Sequence, residues 1–92
     1  MVLIEKSNDL TYMQPYINDI QTVLYKKLNI NPKLIHSKTD FRKDLQFSEW
    51  EMIYLLNAVE QNWHIEISDN DALKINNLKQ LILVIKKSYS KN

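Results

Sequence analysis

The 92-residue sequence predicts an all-α fold, a small up-down four-helix bundle with a long first loop and a short third helix. Three observations predict it. Apolar residues recur at three-to-four-residue spacing in separate segments, serine-led capping patterns stand at the head of later segments, and the one alternating run has no second strand to pair with. A chain this long makes one domain, with a core large enough for a small bundle and too small for a deep enzyme pocket plus its supporting shell.

The first helix is built on Ile17, Ile20, Val23, Leu24 and Leu28, with Pro15 in its first turn, where the missing N–H costs nothing. Asn29 is suited to a left-handed cap in a chain without glycine, and Pro32 stops continuation. The first loop follows, and Ile30, Leu34, Ile35 and Phe41 mark it as a connection packed on the bundle rather than a free linker. Ser48 and Glu51 have the spacing of a capping box, which starts the second helix. Ile53, Leu55, Leu56, Ala58, Val59 and Trp63 give it an apolar stripe wide enough to meet two neighbours. Ile65-Glu66-Ile67 alternates like a strand but is too short to form a sheet, so it reads as an extended link. Ser68 to Asp71 form a second capping pattern before a short third helix containing Ala72, Leu73 and Ile75. Asn76 or Asn77 caps the last helix, whose buried face is Leu78, Leu81, Ile82 and Ile85, widened by Leu83 and Val84.

The expected organisation is an N-terminal extension over 1–12, a helical domain over 13–87 and a frayed tail over 88–92. The amino terminus has only a short apolar run before charged residues, so neither a secretory segment nor a membrane span is visible, and a cytoplasmic protein is the expectation. No cysteine is present, which removes disulfides, thiol nucleophiles and thiolate metal sites.

The net charge of +1 hides a sorted distribution. From Asp44 to Asp71 every formal charge is acidic, and all twelve Lys and Arg lie in the flanks. That acidic middle argues against a nucleic-acid face, and the basic residues of the last segment read as the solvated side of a helix. His36 and His64 lack a partner at metal-ligand spacing, and Tyr25 and Tyr54 lack a nucleophile-base context. Neither catalytic residues nor a metal site is expected.

The run from Asp40 to Trp50, with Phe41, Asp44 and Leu45 ahead of Ser48-Glu49-Trp50, resembles the acyl carrier protein signature. In that family Phe, Asp and Leu lead through a short loop to Asp-Ser-Leu at the start of the second helix. Leu28-Asn29-Ile30 resembles the exit of the first carrier helix, with Asn29 for the usual glycine. Ala58 through Asp69 resembles the family's Ala-Leu-Glu-Glu-Glu-Phe-Asp-Ile-Glu-Ile-Pro-Asp, and the similarity spans roughly residues 13 to 85. The resemblance implies a bundle of acyl-carrier-protein type. The departures gather at the attachment loop: Gln46 for glycine, Phe47 for a small residue, Ser48 for aspartate, Glu49 for the modified serine and Trp50 for leucine.

In the family that serine carries 4'-phosphopantetheine, and a carboxylate cannot form the same link. The resemblance therefore implies a carrier-like chain that is not loaded, with no cofactor, acting as a docking module in a lipid or secondary-metabolite pathway. A synthase, ligase or acyltransferase is the kind of protein partner implied. Its expected contact residues are Phe47, Glu49, Trp50, Glu51, Ile53, Tyr54 and Asn57. Two alternatives stay open: a working carrier with atypical attachment at Ser48, or a structural helical interaction domain. Trp63, where the family has Phe, leads to the further expectation that no sizeable tunnel runs inward from the start of the second helix.

Overall fold

A computed structural model describes the backbone from residue 2 to residue 90 and side chains from residue 12 to residue 88. Among the described residues four α-helices follow one another, α1 Val2–Leu28, α2 Glu49–Trp63, α3 Asp69–Leu73 and α4 Leu78–Ser90, with one 3₁₀ turn at Pro32–Leu34. This is the expected four-helix bundle, with its long first loop and short third helix. The long helix α1 packs on both α2 and α4.

Two elements differ from the sequence reading: α3 ends at Leu73, so buried Ile75 lies just past it, and α1 begins well before its expected start. Pro15 lies inside α1 rather than in its first turn, because the helix already begins at Val2. Proline there removes one ladder hydrogen bond and crowds the preceding turn, so the sequence rule placed it at a start. The backbone of the expected extension is thus continuous with α1. At the other end α4 reaches Ser90, and Met1, Lys91 and Asn92 lie outside the described residues.

Without glycine, three turns among the described residues are closed by other residues in the left-handed region: Asn29 at φ 57°, Gln46 at φ 57° and His64 at φ 56°. Asn29 is the expected cap, and its N–H donates to Tyr25 O at 3.0 Å. His64 caps α2, with its own N–H and that of Ile65 both directed to Glu60 O. Glu60 then accepts from Ile67 N at 2.8 Å through Oε2, which holds the extended link against α2. Ser68 caps α3 through Asp71 N at 3.1 Å. Of the two asparagines, Asn77 caps α4: its Oδ1 accepts from Gln80 N at 2.9 Å, while Gln80 Oε1 accepts from Asn76 N and Asn77 N.

The core is built from α1, α2, α4 and the first loop, with Ile65 and Ile75 from the segments on either side of α3, which itself buries no residue. Ile20 and Leu24 of α1, Leu55 and Val59 of α2, and Leu78, Leu81, Ile82 and Ile85 of α4 are fully buried, joined by Ile35 and Phe41 from the first loop. Trp63 is buried with its ring stacked on Tyr16, and Tyr16 meets Tyr12 edge to face. The first loop is stapled at two places. Gln21 Nε2 donates to Pro32 O and Ile35 O, and Asp40 pairs with Asn77 in an antiparallel bridge flanked by Phe41 N to Asn76 O and Leu78 N to Thr39 O. Buried Thr39 completes the turn, its hydroxyl donating to Leu34 O and accepting from His36 N.

Candidate functional site

The loop entering α2 is built from Asp40 outward. Asp40 Oδ1 accepts from Arg42 N and Lys43 N, and Asp44 Oδ2 accepts from Asp40 N, which curls the chain tightly. Phe47 N then donates to Phe41 O at 2.9 Å, and the two phenyl rings stack with centroids 6.0 Å apart. This return needs the left-handed conformation at Gln46, immediately before Phe47. Ser48 opens α2 with a complete capping box: its Oγ accepts from Glu51 N at 3.3 Å, and its N–H donates to Glu51 Oε1 at 2.8 Å.

Glu49 is the first residue of α2, in the turn where the helix dipole favours a carboxylate. Its Oε1 accepts from Arg42 Nη2 at 3.1 Å. Both side chains of this pair are largely exposed, so the contact orients them more than it stabilises the fold. Arg42 was not among the sequence-derived site residues. It lies seven positions away across an irregular loop, where no periodicity signals which side chains meet.

The expected contact residues divide on burial. Trp50 is 80% exposed, Ile53 48% and Tyr54 45%, with Asn57 also exposed and Glu51 partly covered. Trp50 and Tyr54 are one turn apart, as are Ile53 and Asn57, so the four residues form two adjacent rows on the outer surface of α2. Phe47 is the correction: it is 6% exposed and belongs to the core. Its stacking on Phe41 turns the ring inward, so it makes no part of the exposed surface. Ile53 and Asn57 also border a cavity of ≈ 300 Å³ along the seam of α2 and α3, with Leu56, Ile67 and Ala72 among its lining and Glu49 absent from it.

These features define a small helical bundle whose second helix presents an aromatic surface flanked by carboxylates. Among the described residues no helix is long and apolar enough to cross a membrane. No protein-family profile matches the chain. It is 33% identical over 67 residues to the acyl carrier protein of Helicobacter pylori (strain J99), covering 73% of this chain and 86% of the relative. The acyl carrier protein of Buchnera aphidicola subsp. Acyrthosiphon pisum is 33% identical over 72 residues, 78% of this chain and 90% of the relative. That of Wolinella succinogenes is 34% identical over 58 residues, 63% of this chain and 76% of the relative. The chain belongs to the acyl carrier protein family. Such proteins are not catalysts, which agrees with the reading of this chain as a non-enzyme.

Proposed function

We propose that this chain is an acyl-carrier-like docking module that is not phosphopantetheinylated, serving a synthase, ligase or acyltransferase of a lipid or secondary-metabolite pathway. The observation that carries the reading is the pair of residues heading α2. Glu49, at the place of the family's modified serine, offers a carboxylate already engaged by Arg42, and the neighbouring Ser48 hydroxyl is engaged in the helix cap. For Ser48 to accept the prosthetic group its oxygen would leave Glu51 N, and the new phosphodiester would stand beside the Glu49 carboxylate. Both changes oppose modification. The residues present therefore do not fit 4'-phosphopantetheine.

What the chain retains is a surface. Trp50, Ile53, Tyr54 and Asn57 form its centre, with Glu49 and Glu51 at its edge. Exposed Trp and Tyr rings bury much area on contact at modest entropy cost, so Trp50 and Tyr54 are the expected hot spots and the carboxylates set orientation and approach. Coexpression with a broad-range phosphopantetheinyl transferase, followed by intact-mass measurement, tests the first half: no mass gain is expected, and one prosthetic group on Ser48 overturns the reading. For the second half, a partner recovered by pull-down is titrated calorimetrically with wild type and Trp50→Ala. A loss of roughly 2 kcal/mol or more is expected for the variant with its fold intact. Unchanged affinity removes this surface from the proposal.

A further inference from the structure

Two further exposed leucines stand on α3 and α4. Leu73, the last residue of α3, is 82% exposed, and Leu83 of α4 is 47% exposed. Beside Leu83 is a concavity of ≈ 250 Å³ lined by Asp71, Lys74, Gln80, Leu83, Val84 and Lys87. Its floor is aliphatic, since Val84 is buried and Leu83 forms a wall.

The charge around this hollow is opposite to that of α2. Lys74 and Lys87 stand at its edge, and Lys79, one turn before Leu83, shares that face of α4. Asp71 is the one carboxylate in the lining, and its Oδ1 is already met by Lys87 Nζ at 3.4 Å. Lys74 and Lys79 enter no ion pair among the described residues. Lys86 is directed elsewhere, over the Tyr12 ring at 3.9 Å from its centroid. The hollow thus joins an apolar seat to a net positive rim.

We infer that the α3–α4 groove docks an acidic segment of a partner protein. One aliphatic side chain of that segment sits against Leu83 and Val84, and its flanking carboxylates meet Lys74, Lys79 and Lys87. The size favours this occupant: pockets that enclose whole small ligands run to about 300–1,000 Å³, and this hollow falls below that range while suiting a single anchoring side chain. A bilayer surface fits less well, because a plane leaves the hollow unfilled and brings Asp71 against like-charged headgroups. The chain then has two docking faces of opposite sign, acidic and aromatic on α2, basic and aliphatic on α3–α4. A module so built bridges two proteins.

The test is a nuclear magnetic resonance titration of the ¹⁵N-labelled chain with a model helical peptide bearing Leu at i and i+4 and Glu on either side. The same peptide with Lys for Glu, and vesicles of anionic lipid, run in parallel. The expected result is that the Glu peptide shifts the resonances of Lys74, Gln80, Leu83 and Val84, leaves those of Trp50 and Tyr54 in place, and weakens with added salt. Leu83→Glu and Lys74→Glu each lower the affinity roughly tenfold or more. Both positions are exposed, so each variant is expected to keep the wild-type circular dichroism spectrum. No shift at millimolar peptide, an equal response to the Lys peptide, shifts confined to α2, or retention on vesicles without peptide binding would each overturn the inference. Failure of the Trp50 experiment leaves these readouts untouched, so the two faces are judged separately.

Discussion

Replacing Gln46 by glycine is expected to stabilise the protein. Gln46 holds φ 57° with a side chain that is exposed. A β-carbon in the left-handed region crowds the following carbonyl at a cost of about 1–2 kcal/mol, which glycine does not incur. Glycine also loosens the unfolded chain, which returns roughly 0.5–1 kcal/mol of that gain. The net is a stabilisation of about 0.5–1 kcal/mol, equivalent to a rise of roughly 2–8 °C in Tm for a domain of this size. Thermal and urea unfolding of wild type, Gln46→Gly and Gln46→Ala separate the causes. Alanine keeps the β-carbon, so its midpoint stays within about 0.5 kcal/mol of wild type. A Gln46→Gly midpoint at or below that of wild type would refute the strain argument and imply that the glutamine side chain contributes a contact worth at least as much.

Ser48→Ala removes the hydroxyl half of the capping box and is expected to cost about 1 kcal/mol in urea unfolding, whereas Ser48→Asp, which restores an acceptor, stays near wild type. Phe41→Ala empties a fully buried site stacked on Phe47 and is expected to cost about 3–5 kcal/mol. That is a large part of the roughly 5–14 kcal/mol typical of a chain this long, so its denaturation midpoint falls steeply. Arg42→Gln removes one exposed ion pair, and the expected loss is below about 1 kcal/mol at low salt, vanishing as salt is added.

The helices that sequence placed well are those whose signals are local. Ser48, Ser68 and Asn77 announce α2, α3 and α4 because a cap is written within four residues, and the apolar stripes of α2 and α4 follow directly. The beginning of α1 escaped because an interior proline is sterically indistinguishable, in sequence, from one in a first turn. Gln46 gave no propensity signal for a positive φ; only its place opposite a family glycine hinted at one, and the tertiary demand to return Phe47 onto Phe41 overrode its preference. The same demand explains Phe47. On helical spacing it falls beside Trp50, yet a residue just before the cap is not on the helix, and its direction is set by the loop. Exposure of Trp50, Ile53 and Tyr54 depends on what the neighbouring helices leave uncovered, which no single stripe of residues specifies.

The antiparallel bridge between Asp40 and Asn77 bears on the order in which the molecule assembles. Its flanking bonds, Phe41 N to Asn76 O, Leu78 N to Thr39 O and Lys79 N to Ser37 O, close a neck around the chain that contains α2 and α3. Helices grow from neighbours along the sequence, but this neck joins residues far apart and must meet the entropy of closing the loop between them. Until it shuts, the turn that carries Phe41, and through Phe47 the first residues of α2, has no fixed relation to α4. A folding chain can therefore acquire its helical signal while this neck is still open, and the turn that carries Phe41 gains its fixed place beside the start of α4 only with that long-range closure.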